Sequence, residues 1–339
     1  FVTELTLQTV SGSRVYSDVF AAINEHSTEH ISLPDWCDAM IVAPATANVV
    51  AKMAAGIADD ALTTTIASCV ARKPMVISPA MNDKMWESPA TQQAIKTIRS
   101  WENVTVIEPA EGQLACGTSG KGRMPEIDEL QEALEYALTP KTMLGKRVLI
   151  TAGGTQEKID PVRFISNYST GKMGFALAQA CARRGAEVTL VCGAVSAPLL
   201  NPFGSIRRID ALSAQVMYEA CTAAWPQQDI AILCAAVTDM LLQVRTRPDI
   251  ARALGESKRT DQQLIGFALE TQNEKENALH KMERKNMDAI VLNSLRDKGA
   301  GFGTDTNIAT ILQCDGTSTA LPLQSKSIIS EEILRVLFS

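Results

Sequence analysis

Arg147-Val148-Leu149-Ile150-Thr151-Ala152-Gly153-Gly154 decides the fold. A short apolar run that ends in glycine and leads into helix-compatible sequence is the pattern of a buried parallel strand. Here the run turns at Gly153-Gly154, and the chain reaches a helix expected over Phe175 to Arg184, capped by Gly185. Moving downstream, Val188-Thr189-Leu190-Val191, Ile230-Ala231-Ile232-Leu233 and Ala289-Ile290-Val291-Leu292 read as further strands, and Asn307 to Gln313 begins a β-rich end with Gly316 at a turn. Upstream lies a second series: strands at Ala39-Met40-Ile41-Val42-Ala43, Met75-Val76-Ile77-Ser78 and Val104-Thr105-Val106-Ile107, closed by an amphipathic helix in which Ile127, Leu130, Leu134 and Leu138 recur after Pro125. Thr139-Pro140-Lys141 through Gly145 reads as a linker, giving units at 1–139 and 146–339 joined by 140–145. In open α/β sheets ligands gather beyond the carboxyl ends of strands, where Pro44-Ala45-Thr46-Ala47-Asn48 and Pro79-Ala80-Met81-Asn82 fall.

Composition agrees with two α/β cores. The chain has 339 residues, 46% of them hydrophobic and 21% charged, and single cores usually stop growing near roughly 250–300 residues. A net charge of −6 argues against a nucleic-acid or membrane-surface partner, although local basic loops can still bind phosphate. The eight cysteines form no Cys-x-x-Cys pair and the three histidines show no metal spacing, so neither a zinc site nor a disulfide framework is expected. No apolar run approaches the roughly 20 residues of a membrane span, and the first residues do not read as a signal peptide. The chain reads as soluble and cytoplasmic.

Leu114-Ala115-Cys116-Gly117-Thr118-Ser119-Gly120-Lys121-Gly122-Arg123-Met124-Pro125 places one cysteine among three glycines and two cations, which favours an exposed, reactive thiolate in a mobile clamp over an anion. His30, in Glu29-His30-Ile31-Ser32-Leu33 before what reads as an apolar strand, is by itself either structural or a base. Asn82 either presents amide donors to a carboxylate or forms an Asx turn before the Met85-Trp86 helix. The hydroxyls and amides at 43–48 and 59–65 serve a ligand or cap helices. Gly153-Gly154 could cradle phosphate on backbone N–H groups. Thr170-Gly171-Lys172 fails as a P-loop, because Ser166 stands where a glycine is needed and Met173 replaces Ser or Thr. Lys281 and Lys285 lie four apart on an expected helix, hence on one face, where they either meet one phosphate chain or form a solvated basic face.

Three segments together, Leu114–Pro125, Pro79–Trp86 and Ser166-Asn167-Tyr168-Ser169-Thr170-Gly171-Lys172-Met173-Gly174, resemble one family along nearly the whole chain: the bifunctional bacterial enzymes of coenzyme A synthesis that join phosphopantothenate-cysteine ligase to phosphopantothenoylcysteine decarboxylase. The resemblance implies two doubly wound α/β domains, an N-terminal flavodoxin-like flavoprotein of the HFCD type and a C-terminal Rossmann-like ligase. In the first, FMN contacts Ala43, Pro44, Ala45, Thr46, Asn48, Asp60, Thr64 and Met81. The cysteine end of 4'-phosphopantothenoylcysteine is oxidised to a thioaldehyde, loses carbon dioxide and is then reduced. By resemblance His30 assists the oxidation and decarboxylation, Asn82 holds the carboxylate, and Cys116 protonates the enethiolate with Lys121 and Arg123 lowering its pKa; Gly117 and Met124 belong to the same substrate loop.

In the second domain the resemblance implies CTP-dependent activation of 4'-phosphopantothenate to an acyl-cytidylate, which the amine of cysteine attacks. Asn167 contacts that intermediate, Asp239 the nucleotide, Phe267 the base, and Lys281 and Lys285 the triphosphate, with Gly153, Gly154, Lys172, Ala235, Arg247 and Pro248 lining the substrate sites and Mg2+ riding on CTP. Ligase dimers, decarboxylase trimers and a dodecamer built from them are implied. Two departures stand out. The chain enters near the end of the family's second strand, which a truncation explains. A lysine-rich loop of tens of residues is also absent at Gln243-Val244, either as a flexible lid missing from the sequence or as a deletion, while Thr238 and Met240 replace the usual Ala and aromatic residue. Two other classes were weighed: a catalytically inactive flavin-binding regulatory subunit, and a nicotinamide-dependent oxidoreductase, for which Gly-x-Gly-x-x-Gly is lacking.

Overall fold

The computed structural model describes residues 2–19, 29–113, 117, 119–196, 198–238, 249–270, 274–294 and 303–338. The chain divides into two compact units, 1–139 and 140–339. No helix among the described residues is long and apolar enough to cross a membrane.

The first unit runs α1 (Glu4–Ser11), α2 (Glu29–Trp36), β1 (Met40–Ala45), α3 (Ala47–Ala55), α4 (Ala61–Cys69), β2 (Met75–Pro79), α5 (Asp83–Trp86), α6 (Pro89–Arg99), β3 (Val104–Val106), β4 (Ala110–Gln113), β5 (Ser119–Arg123) and α7 (Ile127–Leu138). The strands β1-β2-β3 form a parallel sheet in sequence order. β2 is buried at every position, as a central parallel strand must be, and Val42, Met75, Ile77, Ile95 and Ile98 fill the core beneath α3 and α6. Three expectations are corrected. Pro44 and Ala45 end β1 instead of following it, past a register shift that begins at Val42. His30 lies in the first turn of α2, where helix packing on α4 replaces the strand read from Ile31 and Leu33. Ser119–Arg123 is no loop, since it pairs antiparallel with β4.

The second unit runs β6 (Arg147–Ala152), β7 (Gln156–Lys158), β8 (Phe164–Ser166), α8 (Lys172–Arg183), β9 (Glu187–Cys192), β10 (Ile206–Asp210), α9 (Ala214–Ala224), β11 (Ile230–Leu233), α10 (Ile250–Glu256), β12 (Gln263–Glu270), α11 (Glu274–Arg284), β13 (Ala289–Ser294), β14 (Thr306–Gln313), β15 (Ser318–Ser325) and α12 (Lys326–Phe338). Eight strands form one sheet in the order β10-β9-β6-β11-β12-β13-β14-β15, parallel from β10 to β13 and antiparallel thereafter. Strand order reverses at β6, so the sheet is doubly wound, with its crevice between β6 and β11. Alternation along β6 fills both faces: Val148, Ile150 and Ala152 pack with α8 and α12, whereas Leu149 packs with α9, α10 and α11. α8 starts three residues earlier than its apolar pattern indicated, because Gly171 at φ 80° opens it and Gly174 lets it close on β6; a Cβ at 174 would stand 2.5 Å from Ala152 Cβ. The residues read as a linker are packed on this unit. Met143 is buried, its N–H donates to Arg184 O (2.9 Å), and Lys141 Nζ donates to Arg183 O (2.8 Å).

Candidate active sites

In the first unit the carboxyl ends of β1 and β2 are joined by Ala80 N–H donating to Ala45 O (2.9 Å). Ala43, Pro44, Thr46 and Asn48 are exposed around buried Ala45, leaving a shelf of small and polar groups at the strand end. Thr46 caps α3, its Oγ1 accepting from Val49 N. Thr64 Oγ1 donates to Ala58 O. Asp60 is committed to the protein: Oδ1 accepts from Thr63 N (2.8 Å) in a capping box, and Oδ2 pairs with Lys52 Nζ (2.8 Å). The Lys52 ammonium, then the Thr63 N–H, hold its carboxyl down at about 2. Capping and the Lys52 pair account for Asp60 as local structure.

His30 Nδ1 is buried and has no hydrogen-bond partner among the described residues, while its carbonyl accepts from Ser68 Oγ on α4. A buried ring nitrogen without a partner is costly unless a ligand supplies one. That observation fits a hydrogen-bonding ligand such as a flavin or its substrate beside α4.

The turn after β2 is held by β5. Met81 N–H donates to Gly122 O (2.9 Å), and a Cβ at 122 would stand 2.1 Å from Met81 O. Asn82 caps α5, its Oδ1 accepting from Lys84 N (3.0 Å), so the Asx-turn reading holds as local structure. Gly122→Ala is expected to unseat the hairpin and lower the stability of this unit by about 1–3 kcal/mol. An unchanged urea midpoint for its unfolding transition would show that the strand is not seated this way.

Cys116 lies outside the described residues, between β4 and β5 in the chain. Lys121 Nζ pairs with Glu108 Oε2 (2.5 Å) and stands 5.9 Å from the Trp86 ring centroid, and Arg123 pairs with Glu126. Carboxylates thus offset both cations assigned to the thiol. Gly117 adopts φ 85° and is exposed, and Met124 is half-buried.

The second unit holds a cavity of about 220 Å³ at the carboxyl edge of its sheet. Ser169 to Gly174 at the α8 N-terminus, the segment just past β11 (Cys234 to Ala236), Phe267 on β12, Asn293 on β13, Asn307 on β14 and Lys326 on α12 line it. α8 has no side-chain cap, so its first N–H groups are available to an anion. Lys172 Nζ pairs with Asp305 Oδ1 (2.5 Å), which holds that carboxyl below the usual range. Lys326 is buried, donates to Thr304 O, and has its pKa lowered by burial and then by Lys172.

Of the residues expected here, Lys172, Ala235 and Phe267 line the cavity. Asn167 flanks it as a latch, its Nδ2 donating to Ala236 O (2.8 Å) and Thr238 Oγ1 (3.2 Å). Gly153-Gly154 does not offer an open cradle: Gly154 N–H donates to Ala194 O (3.2 Å), and a Cβ at 153 would meet Ala194 O at 2.6 Å. These glycines serve close packing of strand ends. Lys285 falls just past α11 and its Nζ binds Asp249 Oδ1 (2.9 Å), the cap of α10, so the pair with Lys281 is not gathered on the cavity. Asp239, Arg247 and Pro248 lie outside the described residues. Asn307 and Lys326 escaped sequence reading. The available signal was a polar residue in an inward slot, since Asn307, Ala309 and Ile311 share the buried face of β14.

Residues 1–138 match the family described as Flavoprotein, and residues 143–243 and 238–339 match the DNA/pantothenate metabolism flavoprotein C-terminal domain. The latter match comes in two pieces that overlap at 238–243. A cysteine/cysteine sulfinic acid decarboxylase of an unknown prokaryotic organism is 45% identical over 98% of both chains. The coenzyme A biosynthesis bifunctional protein CoaBC of Bacillus subtilis (strain 168) is 44% identical over 99% of this chain and 86% of its own. Among solved structures, the C-terminal domain of a CoaBC protein superposes with TM-score 0.51 at 41% identity, over 58% of this chain and 96% of that one. With the flavoprotein unit followed by the pantothenate-metabolism unit along its whole length, the chain belongs to the CoaBC family of bifunctional coenzyme A biosynthesis proteins.

Proposed function

We propose that the chain performs two consecutive steps of coenzyme A synthesis: CTP-dependent ligation of cysteine to 4'-phosphopantothenate in the second unit, then decarboxylation of 4'-phosphopantothenoylcysteine to 4'-phosphopantetheine in the first. The cavity carries the reading, because an uncapped helix N-terminus, Lys172 and buried Lys326 converge at the sheet edge where a phosphorylated substrate is expected. In ligation the carboxylate attacks the α-phosphorus of CTP, pyrophosphate leaves, and the cysteine amine displaces CMP from the acyl carbon. Lys172 and the α8 N–H groups stabilise negative charge, the largest demand of this chemistry. Lys281 and Lys285 would join them only if Lys285 leaves Asp249. Mg2+ would travel with the triphosphate; among the described residues no group of three or more acidic, His or Cys side chains is placed to hold a metal.

In the first unit the shelf at 43–48, with Thr64 and Met81, would hold FMN. FMN, when bound, supplies the two-electron oxidation and reduction of the cysteine end. His30 accepts or returns a proton at Nδ1, Asn82 orients the carboxylate, and Cys116 delivers a proton to the product. Ligase dimers, decarboxylase trimers and a cytoplasmic setting belong to the same reading.

A second reading follows from the relative named for cysteine and cysteine sulfinic acid: the first unit would decarboxylate one of these free amino acids. Mass spectrometry separates the two. Protein with FMN, Mg2+, CTP, 4'-phosphopantothenate and cysteine, and in a parallel incubation with cysteine sulfinic acid, should give 4'-phosphopantetheine from the first mixture alone. Cysteamine or hypotaurine without 4'-phosphopantetheine would instead establish the second reading, and none of the three would overturn both.

A further inference from the structure

The cavity of the second unit contains a polar group that the protein itself leaves unsatisfied. Asn307 is 2% exposed and lines the cavity. Its Nδ2 donates to Asn293 Oδ1 (3.3 Å), whereas Oδ1 is buried with no hydrogen-bond partner among the described residues. The topology explains its position: β14 runs antiparallel to β13, so the start of β14 lies at the same edge as the carboxyl ends of the parallel strands. Only the donor end of the amide serves the fold, through Asn293; the acceptor end gains nothing for folding. Leaving a buried acceptor unmade disfavours the folded state by about 1–3 kcal/mol, and a residue of similar size without polar atoms would avoid that loss.

We propose that Asn307 is a ligand-binding residue of the ligase half, its Oδ1 accepting a hydrogen bond from a neutral O–H or N–H group of the molecule whose anionic end rests on the α8 N-terminus and Lys172. The assignment rests on the ligase reading above. Both substrates of that reaction carry the required chemistry, the nucleotide in its ribose hydroxyls and base amine, and 4'-phosphopantothenate in its hydroxyl and amide N–H. Asn293 takes a donor of this amide, which leaves Oδ1 as its unpaired acceptor in the cavity lining.

The test is titration calorimetry of CTP with Mg2+, and separately of 4'-phosphopantothenate, into the full chain and into Asn307→Leu and Asn307→Thr, with thermal unfolding of each. Asn307→Leu is expected to weaken one of the two ligands about tenfold or more without lowering Tm. The ligand affected identifies the source of the donor. Asn307→Thr, which keeps an acceptor on a β-branched side chain suited to a strand, is expected to stay within about threefold of the parent. Equal binding of both ligands by the parent and the Leu variant would overturn the assignment, as would a fall in Tm accompanied by equal loss of both ligands in either variant. A parent chain that binds neither ligand would instead overturn the ligase reading itself.

Discussion

His30→Gln is expected to reduce carbon dioxide release from 4'-phosphopantothenoylcysteine by about 10²–10⁴-fold while CTP-dependent ligation stays within about twofold. The imidazole's buried Nδ1 has no partner among the described residues, so its pairing is left to the ligand. Its backbone is held separately, by Ser68 Oγ donating to the His30 carbonyl, and glutamine preserves that contact. Glutamine also suits a helix but cannot exchange a proton near neutral pH. The two compact units allow the chemistry of one to fail while the other runs. Single-turnover carbon dioxide release, followed beside pyrophosphate release from CTP, checks both halves in one preparation. A glutamine variant that decarboxylates at the parent rate would leave His30 a packing residue, and parallel loss of both activities would point to misfolding.

Much of the fold was legible because parallel strands buried on both faces announce themselves as apolar runs. β6, β9, β11 and β13 were found this way, within one or two residues at their ends. β12 (Gln263–Glu270) escaped although it is apolar, its run being interrupted by Gly266, and the other missed strands share a different cause. β10 (Ile206–Asp210) carries two adjacent arginines at a sheet edge, β4 and β5 are polar, and β7 and β8 are only three residues each, so none carries a sustained apolar run. His30 was read beside a strand because Ile31 and Leu33 alternate over too few residues to separate period 2 from 3.6. Site residues divided similarly. The place of Lys172 at the cavity followed from its motif beside Gly171, whereas the ion pairs of Asp60 and Lys285 depend on Lys52 and Asp249, partners that only tertiary structure supplies. Gly153 and Gly154 looked like a phosphate turn for the reason that any close backbone approach selects glycine, here to Ala194.

Lys172→Met is expected to lower kcat/KM for CTP-dependent ligation by about 10²-fold, more than loss of one hydrogen bond explains. The substitution removes a cation beside the α8 N-terminus and at the same time releases the Asp305 carboxylate, now held at 2.5 Å, to oppose an incoming phosphate. Asp305→Asn alone should act in the opposite direction. It frees Lys172 for the ligand, so binding of the anionic substrate should tighten by a few-fold, and the double variant Lys172→Met, Asp305→Asn should recover about tenfold over Lys172→Met. Stability is expected to move little in all three, since the Asp305 side chain is 84% exposed and exposed ion pairs contribute about 0–1 kcal/mol. Initial-rate measurements at low and moderate salt check the series. A purely structural bridge would make Asp305→Asn as damaging as Lys172→Met, and that symmetry would overturn the competition between carboxylate and phosphate. Opposite signs from the two partners of one ion pair would mark Lys172 as a ligand group held in reserve by Asp305 until phosphate displaces it.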